Sequence, residues 1–298
     1  MDMTQNKCCR YGTNLRRRRR RCRKILRSII FSCSIIAVAV FVAVGSSMIR
    51  SGDGRTNKYD VEAGNNTYDN AVIENSKISE KNKIQNNQSM LDDIMNSTQY
   101  PKQLKDLALK NEEALEFVYD YPAEHVKEHT IDLTEEASMD SVPLFVQWDK
   151  RWGYEKYSGN FFAASGCGPT TLSMVVVYLT HNRDASPIAV AKYSKEAGYS
   201  VDGSGSSWTL ISEGCRHYGV KAKTVALDES RMKAELDEGH PIVVNVGPGD
   251  FTNTGHFMVI TGYDDEGFSI NDPNSIEKSG KRWLFKNISS QIRAVWSM

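Results

Sequence analysis

A chain of 298 residues with 40% hydrophobic residues can build at least one ordinary core, which excludes disorder throughout. The formal net charge is zero, but residues 1–28 hold eleven Lys and Arg against Asp2 alone, which leaves 26 basic and 36 acidic residues beyond them. Only Cys167 and Cys215 follow the first 33 residues, which excludes a disulfide-dense scaffold.

The N-terminus joins a basic tail, residues 1–27, to 22 uncharged residues, 28–49, rich in Ile, Val, Ala and Phe. A helix of that length spans roughly 33 Å, which matches a hydrocarbon core of about 30 Å. We therefore predict a single transmembrane helix at residues 28–49 that holds the protein in the cell membrane. The positive-inside tendency places the basic tail in the cytoplasm and the remainder outside it.

Two other interpretations of the N-terminus stay open. Ala43 and Gly45 are small residues with the spacing of a signal-peptide cleavage site. The arginine run is also typical of a nucleic-acid patch or a nuclear address. Because the apolar run follows the arginines directly, we expect no nucleic-acid partner. Because that run is longer than the usual apolar region of a signal peptide, we favour an uncleaved anchor.

Residues 50–90 are predicted to be a disordered linker, because residues 51–90 contain eight Asn and no Leu, Phe, Trp or Pro. Residues 91–137 are predicted to be a helical preamble, in which Leu104, Leu107 and Leu115 recur at helical spacing between Pro101 and Tyr119, with Pro122 as the stop. We expect this helix to pack on the domain that follows. A propeptide-like arm that covers a cleft is the alternative.

Residues 138–298 are predicted to form the folded domain, which contains all five tryptophans. Its first half has four helical patterns, at residues 169–179, 187–197, 208–218 and 228–238. Its second half has four strand patterns, at residues 241–246, 256–263, 268–271 and 293–296. Helices followed by an antiparallel sheet indicate an α+β fold.

Cys167 lies in the motif SGCGPTT, at the start of a predicted helix. A thiol at a helix N-terminus faces unpaired amides and the positive end of the dipole, which favours the reactive thiolate. The flanking glycines are expected to let the backbone turn tightly. The alternative is an inert buried cysteine, which is common among free cysteines.

His256 and Asp272 lie on either side of a predicted hairpin turn at residues 264–267. Residue 264 is midway between them, so an antiparallel pairing brings them opposite each other within a residue or two. A nucleophile needs a base, and the base needs a group that orients it. Cys167, His256 and Asp272 fill these roles, unless His256 is a core histidine and Asp272 an ordinary turn residue.

Four motifs in this order, VPLFVQWDKRWG, SGCGPTTLSMVVVYL, GPGDFTNTGHFMVITGY and SINDPNS, resemble the free-standing C39-like peptidase domain of bacteria, within the papain-like cysteine peptidases. The resemblance covers roughly residues 140–298. It implies a papain-like fold, a peptide or protein substrate, hydrolysis through a thioester, and neither metal nor cofactor.

The resemblance also implies an oxyanion donor, and here the sequence departs from the commonest pattern. Papain-like enzymes often place a Gln about six residues before the cysteine, but that residue is Phe161. The nearest upstream glutamine, Gln147, either donates to the oxyanion or packs between Trp148 and Trp152.

The remaining candidates are less specific. Cys215 is expected in the core, and His217 and His240 lie beside turns. His125 and His129 are one helical turn apart, but no third metal ligand follows at a diagnostic spacing, so we predict no metal. Proximity to the motifs suggests a substrate pocket formed by Trp148, Trp152, Trp208, Phe251 and Thr252.

Two other functions suit the same motifs: a cell-wall amidase or acyl or peptidyl transferase, because the acceptor of a thioester is not fixed by the three residues, and an inactive peptide-binding module. The intact set of Cys167, His256 and Asp272 favours an enzyme. The patterns assign no oligomeric state.

Overall fold

The computed structural model describes residues 66–298, with side chains from Glu80 onward. No helix within this part of the chain is both long enough and apolar enough to cross a membrane. The basic tail at residues 1–27 and the predicted span at residues 28–49 lie outside the described residues.

Helix α1, Asn66–Asn96, lies where we expected the second part of a disordered linker. Its sequence contains neither Gly nor Pro, so nothing in it interrupts a helix. The last turns bury Ile94 and pack Met90 and Leu91 against a hydrophobic cluster. The structure therefore differs from the expected linker at residues 66–90, because apolar residues in the last turns are enough to anchor the helix.

Eleven shorter helices follow: α2 Lys102–Lys110, α3 Leu115–Tyr119, α4 Tyr121–Glu124, α5 Thr134–Ser138, α6 Phe162–Ser165, α7 Cys167–Thr180, α8 Pro187–Glu196, α9 Thr209–Ser212, α10 Glu229–Asp237, α11 Ile276–Ser279 and α12 Phe285–Ile288. Single 3-10 turns lie at Glu112–Ala114, Gly214–Tyr218 and Ser289–Gln291. The helix predicted at residues 208–218 is thus divided into α9 and a 3-10 turn. The break is at Glu213, whose backbone leaves the helical region immediately before Gly214.

The second half of the chain forms a six-stranded antiparallel sheet with the order β5-β10-β6-β7-β8-β9. Its strands are β5 Lys223–Thr224, β6 Ile242–Val246, β7 His256–Asp264, β8 Gly267–Asn271, β9 Arg282–Trp283 and β10 Ile292–Ser297. Two small hairpins precede it, β1 Lys156–Tyr157 with β2 Asn160–Phe161, and β3 Ser200–Val201 with β4 Gly205–Ser206. Helices followed by an antiparallel sheet confirm the α+β prediction.

The central strands are buried on both faces of the sheet. Alternate residues of β6 contribute to different clusters, with Val243 beside helix α7 and Val244 on the opposite face with Met232 of α10. This explains why β6 is apolar at nearly every position rather than at every second one. Asn245 is the polar exception in that strand, and it is almost fully buried.

The preamble packs on the rest of the chain through a third cluster. Leu104, Leu107 and Leu115 lie there with Phe161 and Ala163, which come shortly before Cys167. The long helix expected at residues 101–119 is interrupted at Asn111, whose backbone is extended with φ −138°. The Asn111 side chain then accepts a hydrogen bond from the Glu113 backbone N–H and starts the next turn.

Candidate active site

Cys167 is the first residue of α7, two residues earlier than the predicted helix begins. Its backbone N–H is therefore one of the unpaired amides of the helix N-terminus. The side chain is only half-buried, so its sulfur can be reached from the cleft. The other thiol of the described residues, Cys215, is fully buried in the core, as the sequence suggests.

The glycines beside Cys167 are required by packing rather than by backbone angle. Gly166 has an ordinary φ of −84°. A Cβ at Gly166 would lie 2.6 Å from the Phe162 ring, and a Cβ at Gly168 would lie 2.6 Å from Ser206 Oγ. Both positions thus exclude any side chain, which keeps the start of α7 close to its neighbours.

His256 and Asp272 meet at the end of the β7–β8 hairpin. The His256 Nε2 atom lies 2.7 Å from Asp272 Oδ1, and both side chains are buried. The hairpin turn pairs Asp264 with Gly267, but an irregularity between Ile260 and Gly262 shifts the register. The two residues are therefore diagonal rather than directly opposite neighbours, within the two-residue tolerance of the prediction.

The Cys167 and His256 side chains interact in the same cavity. Because Nε2 of His256 is engaged by Asp272, Nδ1 is the nitrogen left to face the sulfur. Burial alone would raise the pKa of Cys167, but the hydrogen bond and charge of His256, followed by the backbone N–H groups of Phe257 and Gly168, outweigh it and lower that pKa. The thiolate is favoured as a result.

The pKa of His256 shifts in the opposite direction to that of Cys167. Burial alone would lower the pKa of His256, but the charge and hydrogen bond of Asp272, followed by the interaction with Cys167, raise that pKa to about 10. Between the lowered pKa of the thiol and the raised pKa of the imidazole, the two groups form a thiolate–imidazolium pair.

Asp272 is held by its own turn. Its Oδ1 also accepts a hydrogen bond from the Asn274 backbone N–H at 2.8 Å, and its backbone N–H donates to Ser279 Oγ at 2.9 Å. Its other carboxylate oxygen, Oδ2, is buried and has no hydrogen-bond partner among the described residues. These contacts fix the oxygen that faces His256.

Residues of the preamble hold this turn, which sequence reasoning missed. Asn111 Nδ2 donates to the Asn274 carbonyl at 2.9 Å. The Glu113 carboxylate accepts hydrogen bonds from Ser275 Oγ, from the Ile276 backbone N–H at 2.8 Å and from the Glu277 backbone N–H at 3.1 Å. Glu113 therefore caps α11 from outside the predicted domain at residues 138–298.

Gln147 lines the cavity together with Cys167. Its Nε2 donates to the Ala163 carbonyl at 2.7 Å, and its Oε1 is buried without a partner among the described residues. One amide hydrogen is thus committed and the other is available to the cavity. Phe161, at the position where many papain-like enzymes have Gln, is instead buried in the preamble cluster.

The cleft consists of two cavities that meet at Cys167, with volumes of about 610 and 680 Å³. The first is lined by Phe251 and Thr252 and the second by Trp208, as the pocket prediction expected. Trp148 and Trp152 line neither cavity, and that part of the prediction is wrong. The Trp148 indole N–H donates to the Asn274 carbonyl, and the Trp152 indole N–H donates to the Val146 carbonyl. An indole that is removed from solvent needs such an acceptor.

The other histidines lie away from the cleft. His217 stacks on Tyr193 with ring centroids 4.0 Å apart. His125 and His129 contact the backbone carbonyls of Tyr121 and Glu124.

The ligand atoms of Glu235, Glu238 and His240 lie within 4.8 Å of one another. Glu235 is already bound by Lys223, at 2.8 Å, and by Ser297. The absence of a metal remains a prediction.

Comparisons with known proteins give two similar structures and one matching family model. The chain is similar to the crystal structure of the peptidase domain of Streptococcus ComA, with 20% identity, a TM-score of 0.36, and coverage of 45% of this chain and 90% of that one. It is also similar to a C39-like peptidase structure from Bacillus anthracis, with 17% identity, a TM-score of 0.34, and coverage of 54% and 96%. No curated protein matches the chain. The model of the Peptidase_C39 like family matches residues 139–298, more than half of the chain, and the protein therefore belongs to the C39-like peptidase family.

Proposed function

We propose that this protein is a cysteine peptidase that hydrolyses peptide bonds through Cys167, His256 and Asp272. The observation that carries the proposal is the buried hydrogen bond between His256 and Asp272 beside a half-buried thiol at the start of α7. Family membership supports the same activity. A thiolate, a base and a group that orients the base are the parts that thioester chemistry needs.

In the proposed reaction, the Cys167 thiolate attacks the carbonyl carbon of the scissile peptide bond. The negative charge that develops on the carbonyl oxygen is stabilised by the Cys167 backbone N–H and by the free amide hydrogen of Gln147. The His256 imidazolium gives its proton to the leaving amine, and a thioester remains. His256 then takes a proton from water, the hydroxide attacks the thioester, and the Cys167 thiolate is released with a carboxylic acid product.

Cleavage of a peptide library by the full chain tests this proposal. Replacing Cys167 with Ala should abolish cleavage, because no other group in the cleft forms a thioester. Cys215→Ala is the matched control, since Cys215 is fully buried away from the cleft, and it should retain cleavage per folded molecule. Equal activity of the Cys167→Ala variant would contradict the proposal.

We further propose that the protein is anchored in the cell membrane by residues 28–49 and acts on an extracytoplasmic peptide or protein. The supporting pattern is the basic tail followed by 22 uncharged residues. Protease added to intact cells should release a fragment that starts after about residue 50. A native N-terminus near Ser46 would instead show a cleaved signal peptide and would exclude the anchor.

A further inference from the structure

The charged side chains of the cleft are unevenly paired. Five line the two cavities: Asp106, Lys110, Asp250, Lys278 and Arg293. Asp106 is neutralised by Lys102 at 2.7 Å, whereas Asp250 is bound by the neutral amide of Gln291 at 2.6 Å and keeps its charge. Among the described residues, none of the three cations has a carboxylate within 4.0 Å. With three such cations against the one unneutralised carboxylate of Asp250, the cleft carries an excess of positive charge.

This local charge contrasts with the rest of the protein. Beyond residue 28 the chain holds 26 basic and 36 acidic residues, so its formal charge is clearly negative. A cleft with low-dielectric walls concentrates the field of the charges that line it. An anionic ligand is thus repelled by most of the surface but attracted at the cleft, which favours binding at this place.

Arg293 is positioned rather than freely mobile. Its Nη1 donates to the Ser290 carbonyl at 2.9 Å. Its guanidinium also lies so close to Gly247 that a Cβ there would be 2.8 Å from Nε. Among the described residues, its remaining N–H groups have no partner, and Arg293 is the only Lys, Arg, Asp or Glu that lines this cavity. A guanidinium binds a carboxylate well.

Asn245 provides a second, independent sign of a ligand in the same cavity. It is only 5% exposed, it lines the cavity, and its side-chain amide has no hydrogen bond among the described residues. Its amide atoms reach the cavity, so they are free to form hydrogen bonds with a ligand there. Because an amide both donates and accepts, it matches the N–H and C=O of a peptide main chain better than a polyanion that only accepts.

We propose that the cleft binds acidic peptides, with Asn245 on the peptide main chain and with Lys110, Lys278 and Arg293 attracting carboxylates on either side of Cys167. This inference rests on the proposed peptidase function and names its substrate class. The carboxylates come from Asp or Glu side chains or from the peptide C-terminus. Both sources share the same chemistry.

Binding to the full-length Cys167→Ala protein tests the inference without catalysis. Labelled peptide pools of equal length that differ only in containing Glu, Gln or Lys are compared by fluorescence anisotropy at low salt. We expect Glu peptides to bind tightest and Lys peptides weakest, with the difference shrinking as salt is raised. Amidated C-termini separate the two carboxylate sources: amidation weakens the binding of every pool if the C-terminus supplies the charge, and leaves the affinity for Glu peptides unchanged if side chains supply it.

Substitutions in the cleft test which side chains cause the preference for Glu peptides. Arg293→Gln and Lys278→Gln should each weaken binding of Glu peptides about threefold, the size expected for one charge at roughly 6 Å in water, and should leave Gln peptides nearly unchanged. Lys286→Gln removes an equal charge outside the cleft and should change neither. Asn245→Ala should weaken all pools alike, with circular dichroism as the check that the variant folds.

The inference is overturned by a preference for Lys peptides, or by equal binding of the three pools at low salt that amidation of the C-terminus does not weaken. Displacement of Glu peptides by polyphosphate, combined with no effect of Asn245→Ala, would also overturn it, because the ligand would then be any polyanion. Failure of the peptidase proposal looks different. The wild-type protein would then cleave no peptide, while the Cys167→Ala protein would still prefer Glu peptides.

Discussion

At the level of single residues, the two shifted pKa values predict how the reactivity of Cys167 depends on pH. Alkylation requires a thiolate, and the pKa of Cys167 is lowered by His256 despite burial. We expect iodoacetamide to label Cys167 near neutral pH faster than a cysteine with a pKa of about 8.5. The rate should fall only when the pH drops through the lowered pKa, and mass spectrometry of the two thiols measures it.

Cys215 is the internal reference in that experiment, because burial raises its pKa and removes it from solvent. His256→Ala removes the interaction that outweighs burial, so the alkylation profile of Cys167 should move to higher pH. Equal labelling of both thiols in the folded protein, unchanged by His256→Ala, would contradict the thiolate–imidazolium pair.

Substitution of Gln147 tests whether this residue contributes to catalysis or only to stability. If its free amide hydrogen stabilises the oxyanion, Gln147→Ala should lower turnover by about a hundredfold or more. Alkylation of Cys167 should hardly change, because no oxyanion forms in that reaction. A loss of melting temperature with unchanged turnover per folded molecule would show that the bond to Ala163 is its whole role.

The pair of His256 and Asp272 was predictable from the sequence because it is local. One turn at residues 264–267 joins two strands, and the midpoint of the two residues falls in that turn. The irregularity between Ile260 and Gly262 was not predictable, since the sequence around Thr261 continues a regular strand pattern. The shift places Asp272 level with Met258, two residues from His256, so that the side chains of His256 and Asp272 lie on one face.

Among the elements, α11 depends on a cap that comes from the preamble. We expect Glu113→Ala to lower kcat about tenfold with little change in KM, because the Asp272 turn loses its support and the imidazole is less well oriented. Steady-state kinetics and the pH profile of Cys167 alkylation measure this effect. A purely structural role would lower only the melting temperature, by about 2–4 °C for 1 kcal/mol.

Glu116→Ala is the matched control for Glu113→Ala. Glu116 is an exposed acid three residues later, and its side chain has no hydrogen bond among the described residues. Its removal changes the net charge equally and should leave kcat unchanged. Equal kinetics of the two variants would exclude a positioning role for Glu113.

The preamble itself was only partly predictable. Leucines at helical spacing indicate helices, but the break at Asn111 depends on a hydrogen bond to Asn274, 163 residues later. No local pattern contains that information. The 3-10 turn after α9 and the two-residue strands β5 and β9 were missed because they are too short to show a period.

For the molecule as a whole, the boundary of the family match does not coincide with a boundary of packing. The match begins at residue 139, but the preamble cluster joins Ile94 and Leu104 to Phe161 and Ala163 on the other side of it. Composition placed the domain start near residue 138, because all five tryptophans lie after that residue, from Trp148 onward. Composition does not reveal which earlier residues complete the core.

A truncation tests whether the preamble belongs to the working unit. Residues 139–298 alone would expose the apolar side chains of Phe161 and Ala163 and lose both Asn111 and Glu113. We expect this fragment to be poorly soluble and, where soluble, to cleave peptides far more slowly, because exposed apolar surface promotes association and the Asp272 turn is unsupported. Removal of residues 1–65 is the control, since it keeps the cluster intact and should preserve the melting temperature and turnover of the full chain. If the 139–298 fragment equals that control in solubility, melting temperature and turnover, the preamble is dispensable and the site needs only the family domain.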